Sequence, residues 1–117
     1  MATNSQIAFN PQGKTVVVAA AAIAPAGVQA PVYEKFNAQA TGQYRFVNAG
    51  TNTVFLGTGP TAALAQAAAV APVAGVPSDA IALVPGAVEI IRFNMDTFFS
   101  GLASAATTVY VTPGEGL

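Results

Sequence analysis

Short runs of β-branched and aromatic residues, most of them closed off by glycine, proline or asparagine, recur along this chain: Thr15–Val18, Tyr44–Asn48, Thr53–Leu56, Ile81–Val84, Val88–Phe93, Thr97–Ala103 and Thr107–Thr112. Such runs are too short for helices, and spaced at roughly 8–12 residues they describe an antiparallel sandwich or barrel. The expected fold is therefore all-β, an antiparallel β-sandwich of jelly-roll type. Residues 14–112 would form the sandwich, with an N-terminal arm at 1–13 and a C-terminal tail at 113–117. One stretch breaks the pattern. Pro60–Ala71 holds almost nothing but strong helix formers behind a proline suited to a first helical turn, and predicts a short Ala-rich helix that packs on the sandwich or on a partner.

Within this frame the spacing predicts a hairpin from Tyr44–Asn48 and Thr53–Leu56, joined through Ala49-Gly50-Thr51-Asn52. Lys14–Ile23 reads as a strand because of its valine cluster, and Val32–Phe36 as a short strand or an irregular crossing. The run Val16–Ala24 superficially imitates a secretory signal, but its leader carries no positive charge before Lys14, and a buried strand is the better reading. Nine apolar residues also fall far short of the roughly 20 that span a bilayer as a helix.

Chemistry is sharply limited by what the chain lacks. With no His and no Cys, there is no Ser-His-Asp triad, thiol nucleophile, zinc-finger ligand set or disulfide. The four cations, Lys14, Lys35, Arg45 and Arg92, are scattered, and the net charge is −1, which argues against nucleic-acid binding. Charged residues make up 8% of the chain, against about 25% in an ordinary soluble domain. The 26 alanines bury little area each, so a monomer of this size would have a thin core and an assembly is expected.

Three constellations invite a functional reading. Gly57-x-Gly59-x-x-Ala62, with Asp79 about twenty residues on, has the outline of a dinucleotide fingerprint, yet it follows a hairpin strand and not a parallel βαβ unit; no cofactor is expected. A carboxylate pair drawn from Glu34, Asp79, Glu89, Asp96 and Glu115 could in principle work as acid and base, but no spacing singles one out, and the chain is expected not to be an enzyme. Glu89 and Arg92 lie three apart in one strand, so they face opposite ways and each must meet solvent or a neighbouring strand or chain. Tyr44, Phe46, Phe55, Phe93, Phe98, Phe99 and Tyr110 are expected to form the core.

Three stretches read together, Tyr44-Arg45-Phe46-Val47-Asn48-Ala49-Gly50-Thr51-Asn52, Val84-Pro85-Gly86-Ala87-Val88-Glu89 and Val109-Tyr110-Val111-Thr112-Pro113-Gly114-Glu115-Gly116-Leu117, resemble small virion proteins encoded beside the major capsid gene of tailed bacteriophages, the class of head decoration or cement proteins. The resemblance covers about the last 75 residues. It implies a β-sandwich, often a jelly roll, made in the bacterial host cytoplasm and seated on the capsid exterior, where it bridges neighbouring subunits. The implied partners are the major capsid protein and copies of the chain itself, as dimer or trimer, without nucleic acid, membrane or small-molecule substrate. A head fibre, tail or host-surface-binding sandwich is the alternative. The residues expected at intersubunit contacts are Ile7, Phe9, Pro60, Leu64, Val70, Val73, Asp79, Glu115 and Leu117, with no catalytic or metal-binding residue among them.

Overall fold

Two four-strand-wide antiparallel sheets face each other in the computed structural model, which describes residues 9–32 and 41–115. The elements in chain order are β1 (Asn10–Pro11), β2 (Val16–Ala20), β3 (Val28–Gln29), β4 (Thr41–Asn48), β5 (Val54–Gly59), α1 (Ala62–Ala68), β6 (Ile81–Leu83), β7 (Val88–Asn94), β8 (Phe98–Leu102) and β9 (Thr107–Glu115). The first sheet runs β2, β9, β4, β7, with β1 continuing β2 along the same edge of β9; the second runs β3, β8, β5, β6. From β2 onward every connection passes to the opposite sheet except β5 to β6, which α1 bridges. That order is the double Greek key of an eight-stranded jelly roll, and the all-β sandwich expected from the spacing is the fold observed.

Alternation along the strands sets the core. In β4 the residues Gly42, Tyr44, Phe46 and Asn48 are buried while Gln43, Arg45 and Val47 are half-exposed, and β9 buries Thr107, Val109 and Val111 against an exposed Tyr110. Period-two patterning of this kind fixes which face meets the other sheet. Between the sheets lie Val18, Ala20, Tyr44, Phe46, Val54, Leu56, Leu83, Phe99, Val109 and Val111. Tyr110 does not join them, and Phe55 and Phe98 stay half-exposed on the outside of the second sheet, so the expected aromatic core is smaller than the aromatic count. The parity of their strands turns these three rings outward.

The expected hairpin is corrected by the sheet pairing. β4 bonds to β7 and β9, β5 bonds to β6 and β8, and residues 49–53 form an arch between sheets. Asn48 provides the reason. Its fully buried side chain donates from Nδ2 to the carbonyls of Asn52 (2.9 Å) and Leu83 (2.8 Å) and accepts at Oδ1 from the Gly50 amide (3.0 Å). An asparagine that satisfies three backbone groups where the chain leaves the sheet favours a crossing over a tight return. β3 occurs at Val28–Gln29, between Gly27 and Pro31, where no strand was expected, while Val32 forms only a bridge with Gly13 and the rest of Val32–Phe36 lies outside the described residues.

Parts of the expected arm and tail are in register with the sheet. β9 continues through Pro113 to Glu115, and Asn10 and Pro11 pair with Glu115 and Gly114. A proline within a strand removes a ladder donor. Here the Pro113 carbonyl accepts from the Gln12 amide (2.9 Å), so the side of Pro113 that lacks an N–H faces the bulge of residues 12–15 between β1 and β2, not β4.

The helix begins two residues later than its proline suggested, and ends at Ala68, three residues short of the expected Ala71. Thr61 is the N-cap, its hydroxyl accepting from the Leu64 amide (3.2 Å), and α1 lies along β5 and β8 on the outer side of the second sheet. Gly57 and Gly59 make the close approach feasible. A β-carbon at Gly57 would overlap the backbone of Ala65 and Ala69, and one at Gly59 would stand 2.9 Å from the Ala65 nitrogen. The glycines of the fingerprint outline are therefore seats for the helix backbone.

Two substitutions test this packing. Phe46→Ala should lower unfolding free energy in urea by about 3–5 kcal/mol, the usual cost of truncating a buried ring. Gly57→Ala, which adds one methyl group, should cost about 1–3 kcal/mol by forcing α1 off the sheet, visible in the same titration.

Candidate functional surface

Among the described residues no three acidic, cysteine or histidine side chains lie close enough to hold a metal ion. The five carboxylates considered for acid–base work do not converge either. Asp79 sits in the segment between α1 and β6, Glu89 at the outer edge of β7, Asp96 in the β7–β8 turn with φ 65°, and Glu115 at the end of β9, while Glu34 lies outside the described residues. Glu115 accepts from the Arg92 guanidinium at 3.3 Å across the intervening β4. With both partners partly solvated, that pair contributes at most about 1 kcal/mol. Glu89 occupies the inward-facing register of Phe46 and Ile91 but remains exposed because β7 is an edge strand. An inward-pointing charge at an open edge discourages pairing with another strand.

Among the described residues the titration of Tyr44 is shifted, and the cause is structural. Tyr44 is buried between the sheets, its hydroxyl without a well-formed hydrogen bond, and its ring packs edge-on against Phe99 with centroids 5.0 Å apart. Burial raises its pKa above the ordinary 10.0, the Asp96 carboxylate adds to the rise, and the nearby Asp96 backbone opposes it.

What the structure does assemble is a surface. One end of the sandwich is built from the β2–β3 connection at residues 21–23, the β4–β5 arch at 49–53, the β6–β7 turn at 84–87 and the β8–β9 turn at 103–106, and none of these residues carries a charge. Ile23, 84% exposed, and Val84, 58% exposed, project from it. The turn that presents Val84 is of type II: Pro85 leads into Gly86 at φ 79°, and the Ala87 amide donates to the Val84 carbonyl (2.9 Å). The apolar surface continues onto the outer face of the first sheet, where strand register places Val17, Tyr110, Val47 and Val88 in one row across all four strands. The opposite end holds Asp96 and the Arg92–Glu115 pair. Antiparallel sheets normally turn a polar face to water, so an apolar row reaching a charge-free end is the candidate contact surface.

The residues expected at contacts divide between two places. Pro60, Leu64, Val70, Val73 and Asp79 are all exposed, along α1 and the segment that follows it. Phe9 and Glu115 lie instead at the charged end. Phe9 is half-buried with its ring over Gly114, so it is engaged by its own sheet. Ile7 and Leu117 fall outside the described residues. Sequence reasoning missed Ile23, Val84, Val17, Val47, Val88 and Tyr110. Their signal was available: residues 15–32, 46–78, 80–88 and 97–114 contain no charge at all. Only the topology gathers those stretches at one end.

No protein-family model, curated protein or solved structure matches the chain.

The Tyr44 shift has a sign that can be checked. Because the folded state holds the phenol protonated above its ordinary pKa, its contribution is complete below about pH 10 and is lost as pH rises from there through the folded-state value. Denaturation monitored from pH 8 upward should show an alkaline loss of stability near and above pH 10 that Tyr44→Phe reduces.

Proposed function

We propose that this chain is a structural virion protein, a cement or decoration protein that attaches to the outside of an assembled phage head and bridges neighbouring copies of the major capsid protein. The observation that carries the reading is the charge-free end with its exposed Ile23 and Val84, set opposite an end that holds Asp96 and the Arg92–Glu115 pair. Burying such a surface against a partner strips water from apolar atoms and desolvates no ion, so the largest desolvation cost of association is avoided. The resemblance of the β4–β5, β6–β7 and β9 stretches to head decoration proteins supports the same reading, since two of the three contribute loops to that end.

The mechanism needs no catalysis. A clip that recognises the assembled lattice but not dissociated subunits stabilises the lattice by mass action, and contacts repeated over many sites add up where one alone is weak. The jelly roll suits such a clip because its pairing is internal and its β7 edge is guarded by Glu89.

The test is occupancy and stability of particles made with and without the chain. Quantitative mass spectrometry should find a fixed ratio of one copy per one to three capsid subunits, and particles lacking the chain should lose their genome at lower temperature. Ile23→Asp together with Val84→Asp should reduce occupancy about tenfold or more while the melting temperature of the free protein stays within about 2 °C, since both side chains are exposed. A few copies per particle would point to a head fibre or tail part, and unchanged particle stability would overturn the cement role.

A further inference from the structure

Five charged side chains make no ion pair among the described residues, Lys14, Arg45, Asp79, Glu89 and Asp96, and two of opposite sign, Arg45 and Asp79, stand on opposite sides of the sandwich. The outer face of the first sheet carries two outward cations, Arg45 and Arg92, of which Arg92 is held by Glu115. Arg45 makes no hydrogen bond or ion pair among the described residues. Its cross-strand neighbours are Ile90 and Thr112, and with Phe9, Pro11, Gly13 and Thr15 it borders a groove of about 390 Å³. Beside it runs the row of Val17, Tyr110, Val47 and Val88. On the side of the second sheet, residues 70–79 leave α1 and turn at Val73-Ala74-Gly75-Val76, where Gly75 has φ 80° and the Val76 amide donates to the Val73 carbonyl (2.9 Å). Val73 and Val76 are 65% and 60% exposed. The segment ends in Asp79, exposed and likewise without an ion pair among the described residues, and the single charge between Arg45 and Glu89.

We propose that these two surfaces bind each other in successive copies of the chain: the 70–79 segment of one copy lies on the outer face of the first sheet of the next, with the Asp79 carboxylate on the Arg45 guanidinium. The charges select this arrangement. Pairing the first sheet with itself would bring two unpaired guanidiniums into one interface, and pairing the 70–79 segments with each other would bring two carboxylates together. Extension of the sheets through β7 is opposed by Glu89. A head-to-tail contact satisfies both charges at once and covers Val73 and Val76 with the apolar row. Contacts of this type repeat, closing into a ring or continuing as a row according to the rotation between copies. The charge-free end stays open, so lateral contact between copies and attachment to a shell use different surfaces.

Sedimentation velocity of the purified full chain, without particles, separates this from the capsid reading. Between about 10 µM and about 1 mM the mean sedimentation coefficient should rise with concentration, and about 0.5 M salt should reduce the rise. Arg45→Glu or Asp79→Arg alone should weaken association about tenfold, while an equimolar mixture of the two variants should recover to within about threefold of wild type. Each variant should melt with wild type, because both side chains are solvent-accessible. A chain that stays monomeric throughout, association that ignores both reversals, or a mixture that fails to recover would overturn the proposal.

Discussion

One ring from the second sheet is gripped by three from the first. Phe99 of β8 meets Tyr44, Phe46 and Phe93 with centroid distances of 5.0, 5.3 and 5.4 Å, each tilted toward edge-to-face. Aromatic pairs in this geometry gain about 0.5–1.5 kcal/mol each beyond the area they bury. In a chain so rich in alanine, this cluster supplies much of the bulk between the sheets and sets their spacing. Glycine supports it from behind. Gly101 faces inward two residues on, where a β-carbon would stand 2.9 Å from a Val54 methyl and 3.0 Å from the Ala20 methyl. Close contact at Gly101 and bulky contact at Phe99 give β8 a graded inner face, and the sandwich closes around it.

Much of this was legible in the sequence, for a physical reason. Valine, isoleucine and aromatic runs broken by Gly-Pro punctuation report local backbone preference, so β2, β6, β7, β8 and β9 emerge within a residue or a few of their observed bounds. The helix emerged as well, because few alternatives suit PTAALAQAAAVA. Pairing was not legible. Nothing local distinguishes a four-residue return within one sheet from a five-residue arch between two, and here the decision rests on Asn48 reaching the Leu83 carbonyl, a contact 35 positions away in the chain. The candidate surface was hidden similarly. Absence of charge in four separate stretches becomes a site only when the Greek-key connections bring their turns to one end.

The distribution of ionic groups gives the molecule a direction. An ordinary soluble domain scatters charge over its surface, which keeps copies apart in every orientation. This chain concentrates its ion pair and Asp96 at one pole, keeps the turns of the other uncharged, and sets Arg45 and Asp79 on opposite flanks. Solvation and association then act on different parts of the same small body. The glycine pair of β5 illustrates the economy of the design, since the residues that outline a nucleotide motif instead let a seven-residue helix lie directly on the sheet.

The pairing of β1 with the last residues of β9 brings Asn10 and Glu115 opposite each other at the charged pole. A peptide or second domain fused to either side of the sandwich would thus depart from the same place, on the far side from Ile23 and Val84. The molecule is in effect a peg with its head and both its tethering points at one end, and cargo attached there could be arrayed without covering the surface by which the peg is set.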